Sequence, residues 1–173
     1  MERPQTVIEA GYVRTMARYN AWQNRQLTEA LTEVPEDVLR EDRGAFFGSI
    51  MATLNHILWG DTIWMSRFDP SVAAPTNRDH LNFTPTFAVW SAERFRMDGA
   101  IRMWADTLRT LDLKGPLTWY SGMAKREMHA PLELCVAHLF NHQTHHRGQV
   151  HAMMTAAGLE APVSDLIFLP EEK

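Results

Sequence analysis

Hydrophobic residues recur every three or four positions along four long stretches of this chain, which is the spacing of amphipathic helices. The first predicted helix covers residues 6–31 and ends before Pro35. The second covers residues 45–68, with residues 48–49 as an alternative start, and Asp69 followed by Pro70 ends it. A loop rich in proline and asparagine separates these two helices from the rest of the chain.

The second half of the chain predicts two more helices with a small hairpin between them. Thr84 is a candidate N-cap, followed by Pro85 at the first position of a helix that extends to about residue 111. Two short runs at 117–120 and 125–128, separated by Ser-Gly, predict a β-hairpin. The fourth helix begins at about residue 131, and a glycine at 158 provides its stop.

Four long helices with short connections predict an all-α four-helix bundle. We expect up-down-down-up connectivity, with the small hairpin before the last helix. The 173 residues are enough for a proper core, and we expect a single domain over residues 1–173.

Composition excludes several classes of protein. Hydrophobic residues make up 45 % of the chain and six residues are Trp, which excludes a disordered protein. The net charge of −4 without a basic stripe argues against nucleic-acid binding. The single Cys135 excludes a cysteine-based zinc site, and we interpret it as a small apolar core residue. Residues 1–5 hold no apolar signal core and no segment is apolar for 18 residues, so we expect a soluble cytoplasmic protein.

The fourth predicted helix holds five of the eight histidines between residues 138 and 151. An apolar seam with spacings of three and four runs along this helix at Leu132, Cys135, Leu139, Val150, Met153 and Ala157. The same spacing predicts apolar residues at positions 142 and 146, but both positions are histidine. His138 and His145 lie on the shoulder of the seam, rotated by roughly 60° or more from its centre.

Two imidazoles lie one turn apart in this buried seam. Each buried ring nitrogen needs a hydrogen bond or a metal ion, because a nitrogen without a partner costs a few kcal/mol of stability. One explanation is a metal ion bound by His142 and His146, and the other is a separate buried hydrogen bond for each ring. A metal site needs a third ligand from another helix. His56 is the only remaining histidine in the interior of a different helix, on a face with small residues. That helix is apolar on two sides, one for the core and one for a partner subunit, and spacing does not say which side holds His56.

Three segments of the chain carry further motifs: Tyr-Asn-Ala-Trp at 19–22, Leu-Asn-His-Ile-Leu-Trp-Gly-Asp at 54–61, and Asn-His-Gln-Thr-His-His-Arg-Gly-Gln at 141–149. Together they resemble the DinB-like family of metal-binding four-helix proteins, which is unrelated to the translesion polymerase of the same name. In that family one histidine of the second helix and a His-x-x-x-His pair of the last helix bind a divalent metal. The resemblance therefore implies His56, His142 and His146 as metal ligands.

Three neutral imidazoles leave a coordination position open, as in catalytic zinc sites. This ligand set suits Zn²⁺ or Ni²⁺, and Fe²⁺ is the further candidate. Relatives in the family include enzymes that use low-molecular-weight thiols, so the resemblance implies a metal-dependent S-transferase or hydrolase acting on a small molecule. The alternatives are a non-catalytic, stress-linked metal-binding protein and a plain structural bundle. Gln143 stands where zinc metalloproteases place their catalytic glutamate, so peptide hydrolysis by that route is not supported.

Two further polar residues are candidates to support the ligands. Asp61 interrupts an apolar stripe, and it either accepts a hydrogen bond from a ligand or pairs with an arginine in a structural role. Gln149, one turn after His146, either bonds a ligand or water or lies on the helix surface.

Tryptophan and methionine are concentrated on the second and third helices. Either these side chains all belong to the core, or part of them lies at a subunit interface. We expect a homodimer that forms through these two helices.

Overall fold

The computed structural model describes residues 8–171. Within this range the chain forms five α-helices and one two-stranded sheet. The helices are α1 (Ala10–Leu31), α2 (Glu36–Arg40), α3 (Ile50–Phe68), α4 (Phe87–Thr107) and α5 (Leu132–Ala156). The strands β1 (Pro116–Ser121) and β2 (Arg126–Pro131) pair antiparallel, with Trp119 opposite Met128. The predicted class, an all-α bundle with a hairpin before its last helix, is confirmed.

The start of α3 follows the alternative that the sequence offered. Gly48 adopts a positive φ of 78°, a conformation that favours glycine, and turns the chain into the helix. Ser49 then caps α3, because its side chain accepts a hydrogen bond from the backbone N–H of Ala52. The end at Phe68, before Asp69 and Pro70, agrees with the prediction.

The predicted start of the third long helix at Thr84 is wrong by two residues. Thr86 is the N-cap of α4, with its side chain accepting from the backbone N–H of Val89. Thr84 is buried instead, and its hydroxyl donates to Asn55 Oδ1 over 2.8 Å. This tertiary bond uses the hydroxyl that the sequence pattern had assigned to capping.

Other boundaries also differ from the prediction, by up to about four residues. Helix α1 begins at Ala10, and residues 6 and 7 of its predicted range lie outside the described residues. The short helix α2 was not predicted. Helix α4 ends at Thr107, after which a 3₁₀ turn (Thr110–Leu113) leads to the hairpin. Helix α5 ends before Gly158, which has a φ of 71° and provides the predicted left-handed stop.

The four long helices pack in the order α1, α4, α3, α5 around the bundle. Helix α1 contacts α4 along its length, α4 contacts α3, and α3 contacts α5. Helices α1 and α5 touch more sparsely, which leaves a gap between them. The first two long helices of the chain, α1 and α3, are therefore not direct neighbours in the bundle. No helix within residues 8–171 is long and apolar enough to cross a membrane.

A buried ionic network lies at the centre of the bundle. Arg94 of α4 is 1 % exposed and forms ion pairs with Asp61 of α3 (2.5 Å) and Asp98 of α4 (2.8 Å). Burial raises the pKa of both aspartates, and the Arg94 guanidinium acts in the opposite direction. Asp61 thus has the structural role, paired with an arginine, that was one of its two predicted roles.

Amides from α1 extend this network to the last helix. The Nδ2 atoms of Asn20 and Asn24 donate to Asp98 Oδ1 over 3.0 and 2.9 Å. Arg147 of α5 donates from Nη1 to Asn20 Oδ1. Every long helix therefore supplies at least one group to the network, with two arginines balancing two aspartates.

The network predicts a large loss of stability on substitution of Arg94. Arg94→Met leaves two buried carboxylates without their cation, which costs about 3–5 kcal/mol in the free energy of unfolding. Arg96→Met is the matched control, because Arg96 lies on the same helix, is exposed and pairs with Glu93. This control changes stability by less than about 1 kcal/mol. Urea denaturation measures both variants, and equal effects would contradict the role of the network.

Candidate metal centre

Three histidines from two helices meet at the interface between α3 and α5. One ring nitrogen from each of His56, His142 and His146 lies within 4.8 Å of the other two. His56 Nε2 is 3.0 Å from His142 Nε2. The structure thus brings together the three residues that the resemblance implied, and it turns the His56 face of α3 towards α5.

The two α5 histidines lie one turn apart on the side of that helix that packs against α3. His146 is buried and His142 is half-buried, with their ring centroids 4.5 Å apart. His145 is exposed; its ring contacts that of His146, and its Nε2 lies 3.3 Å from Gln149 Nε2. His138 is also exposed, and its ring lies 5.7 Å from that of His142. The apolar periodicity of α5 therefore distinguishes His142 and His146, which face α3, from the exposed His138 and His145.

Hydrogen bonds orient two of the three rings so that their Nε2 atoms face the cluster. Gln149 Oε1 lies 2.8 Å from His146 Nδ1, so the Nδ1–H donates to it and the Nε2 lone pair stays free. His56 Nδ1 lies 2.8 Å from Nδ1 of His80. Gln149 was a predicted candidate for such support.

His80 was not predicted to take part in the site. It lies in the loop between α3 and α4, where no periodic pattern indicates direction. The loop is folded by its own side chains: Asp79 Oδ1 accepts from the backbone N–H groups of Leu81 and Asn82. Trp59 anchors the same loop by donating from Nε1 to the Asn77 carbonyl over 3.0 Å.

Close packing holds the rings in place. The Phe47 ring lies 4.2 Å from the His56 ring and 5.2 Å from the His146 ring, centroid to centroid. Gly60 provides the space for His142, because a Cβ added at position 60 would lie 3.0 Å from His142 Cε1. Any larger residue at position 60 would push on the His142 ring.

The histidines of the cluster are held neutral. Burial, followed by the charges of neighbouring histidines, lowers the pKa of His56 to about 4 and that of His142 to about 3. Burial also lowers the pKa of His146, whereas the hydrogen bond that its Nδ1–H donates to Gln149 acts in the opposite direction. Neutral imidazole is the form that binds metal, so no protons need to leave these rings at neutral pH.

The donor set fits a divalent cation. Two ligand nitrogens about 3 Å apart match the separation across a metal with bonds of about 2.0–2.1 Å. Without a cation, His56 Nε2 and His142 Nε2 have to share one hydrogen bond between two neutral rings. His142 Nδ1 is buried and has no hydrogen-bond partner among the described residues. Three nitrogen ligands suit Zn²⁺, Ni²⁺ or Fe²⁺.

Other chemistry-bearing residues lie apart from the cluster. Asp61 is fully buried and forms an ion pair with Arg94. Gln143 is fully buried in the bundle rather than placed beside an open position of the site. Cys135 is buried and burial raises the pKa of its thiol, in agreement with its prediction as a core residue.

Comparison with known proteins points to one family. The model of the DinB family matches residues 1–173. The protein DinB of Bacillus subtilis (strain 168) is 23 % identical over 158 residues, which cover 85 % of this chain and 87 % of that protein. A crystal structure of a DinB-like protein from Bacillus cereus ATCC 10987 covers 84 % of this chain and 90 % of its own, with a TM-score of 0.65 at 17 % identity. This last likeness concerns the fold.

The lowered pKa values predict that the metal-free protein loses stability in mild acid. In the unfolded chain these rings take up protons near the ordinary pKa of 6.5, whereas the folded state resists protonation until about 4 for His56 and about 3 for His142. The free energy of unfolding therefore falls as the pH drops from about 6.5 towards 4. A His142→Gln variant should show a shallower fall in urea denaturation across that range. Equal pH profiles for both proteins would contradict the prediction.

Proposed function

The chain belongs to the DinB family, and we propose that it binds a divalent metal through His56, His142 and His146 and uses it as a metal-dependent enzyme on a small molecule. The observation that carries this proposal is the convergence of three neutral imidazoles from α3 and α5. His80 and Gln149 support it, because each engages the outer nitrogen of a ligand ring.

Zn²⁺ or Ni²⁺ is the proposed ion, with Fe²⁺ as a further candidate. An ion held by three protein ligands would acidify a bound water or activate a thiolate at its open position. The chain's own residues orient the ligand rings and keep them unprotonated. Phe47 shields one side of the cluster, whereas His56 and His142 are only half-buried and remain within reach of a small molecule.

A thiol-dependent S-transferase or a hydrolase is the activity that we propose. Trp59 is half-buried beside the site, with its ring 5.6 Å from that of His80. This ring offers apolar surface for the body of a small electrophile, and a low-molecular-weight thiol is its proposed partner. The alternative function is a non-catalytic, stress-linked metal-binding protein, which the same three histidines support equally well.

A homodimer is the proposed assembly. Much of the predicted Trp and Met set is buried within one chain, including Met65, Trp90 and Trp104. On α4, however, Phe95 is 81 % and Met103 is 70 % exposed, and these side chains support an interface through this helix. Light scattering measures the molecular mass in solution, and the mass of a monomer at micromolar concentration would contradict the proposal.

Substitution of the ligands tests metal binding. We expect His56→Ala, His142→Ala and His146→Ala each to lower the affinity for Zn²⁺ and Ni²⁺ by more than about 100-fold, since supporting residues alone account for about 10–100-fold. His80→Phe and Gln149→Leu should fall in that lower range. His145→Ala is the matched control, because His145 is adjacent in sequence but exposed. Competition with a chromophoric chelator measures each affinity, and unchanged binding in His142→Ala would refute the site.

Turnover separates the enzyme from the binding protein. We expect the metal-loaded protein to accelerate attack of a small thiol on an aromatic electrophile such as 1-chloro-2,4-dinitrobenzene, or to hydrolyse an activated ester. The rate should vanish in the metal-free protein and in His142→Ala, and should persist in His145→Ala. A protein that binds metal normally but turns over no thiol and no ester would support the non-catalytic alternative instead.

A further inference from the structure

A second concave site lies in the gap between α1 and α5, on a different side of α5 from the three histidines. Its volume is about 550 Å³, within the range of small-molecule sites. The walls come from α1, from residues 144, 147, 148 and 151 of α5, and from the C-terminal segment 162–166. None of the three clustered histidines lines it, and it lies outside the function proposed above.

The C-terminal segment forms a roof that hydrogen bonds attach to α1. The hydroxyl of Tyr19 donates to the Ser164 carbonyl over 2.5 Å. Gln26 donates from Nε2 to the Val163 carbonyl over 3.1 Å. The cavity is therefore a built feature of the folded chain and not a crevice between loose segments.

Two buried polar side chains on the cavity wall have unmet hydrogen-bonding capacity. Arg147 is 5 % exposed and Gln23 is 6 % exposed. Arg147 Nε and Gln23 Oε1 are both buried, and neither has a hydrogen-bond partner among the described residues. Such atoms are uncommon in folded proteins, and both side chains lie on the wall of the cavity.

Arg147 forms no direct ion pair among the described residues, although the charges of Asp61 and Asp98 act on it from a greater distance. Arg94 takes both carboxylates of the central network, with contacts of 2.5 Å to Asp61 and 2.8 Å to Asp98. Within residues 8–171, the hydrogen bonds of Arg147 go to the neutral amide oxygens of Asn20 and Asn24. A buried guanidinium in this position favours a ligand that carries a negative charge, and a carboxylate matches its planar donors.

The rest of the wall indicates the shape of the ligand. Leu27, Pro162, Val163 and Leu166 contribute apolar surface, whereas His151 and the carboxylate of Asp165 add further polar groups to the wall. We propose that this cavity binds a small organic carboxylate, which places its charged end on Arg147, donates a hydrogen bond to Gln23 and packs its apolar body against Leu27 and the roof.

Gly148 allows the cavity to be filled without disturbing the network. It lines the cavity, and a Cβ added there would have no neighbouring atom within 4 Å. Both Phe and Ala are better helix formers than Gly, so neither substitution is expected to unfold α5. Gly148→Phe is the blocking variant and Gly148→Ala is its matched control. Direct substitution of Arg147 is avoided, because it would leave the buried aspartates under-compensated.

The test is calorimetric titration with hexanoate, benzoate and the three hydroxybenzoates, each compared with its neutral primary amide. We expect at least one carboxylate to bind with a dissociation constant below about 10 mM, and its amide to bind at least about tenfold more weakly. Gly148→Ala should retain this binding, and Gly148→Phe should lose it while keeping the metal affinity of the parent protein. In ¹⁵N-labelled protein the ligand should shift the side-chain Nε–H resonance of Arg147.

Three results would overturn the proposal. The first is that no carboxylate of the set binds, in which case the cavity is merely filled with solvent. The second is equal binding of acid and amide, or equal binding to Gly148→Phe, because the guanidinium or the cavity would then not be involved. The third is loss of binding in the metal-free protein or in His142→Ala, since the carboxylate would then be a ligand of the metal centre.

Discussion

The buried charges at the centre of the bundle are the constraint on which the remaining structure depends. A charge that has lost its water must find its partner at hydrogen-bonding distance, and here the partners come from different helices. Arg94 of α4 holds Asp61 of α3, and Asp98 of α4 accepts from two amides of α1. Arg147 of α5 completes the set through Asn20. Apolar packing alone would tolerate a sliding of one helix along another, whereas these contacts do not.

The same contacts set the register of the candidate metal centre. Asp61 lies little more than one turn beyond His56 on α3, and Arg147 directly follows His146 on α5. Once Asp61 and Arg147 have taken their places in the network, α3 and α5 are aligned along their length, and His56 faces His142 across 3.0 Å. Gly60 lies between these two layers and lets the helices approach closely. The network thus preorganises the site without contributing a ligand to it.

Helix α5 carries different chemistry on its two inner sides. His142 and His146 face α3, whereas Arg147 and Gly148 face α1 and the cavity under the C-terminal roof. About 100° of rotation separates adjacent helical residues, so the buried pair His146 and Arg147 belongs to two different environments. This arrangement explains why polar residues surround the middle of α5 in a helix that lies in the core.

Much of the fold was predictable from local rules, and the departures have identifiable causes. Periodicity located all four long helices, and Ser49 and Gly158 marked a start and an end through capping chemistry. Thr84 failed as a cap because a distant side chain, Asn55, takes its hydroxyl. His80 was missed for a related reason: it lies in a loop, and only the folding of that loop brings its ring to His56.

The sequence by itself determined the four-helix class, the inner position of His142 and His146 and the structural role of Cys135, because helical periodicity is a local property of neighbouring residues. For His56 it provided a resemblance, and for Asp61 and Gln149 it left two roles open. The tertiary structure decided those roles: Asp61 pairs with Arg94, Gln149 bonds His146, and His56 meets the pair on α5. Each of these outcomes except the Gln149 contact depends on which side of one helix meets another, and a one-dimensional pattern does not contain that information.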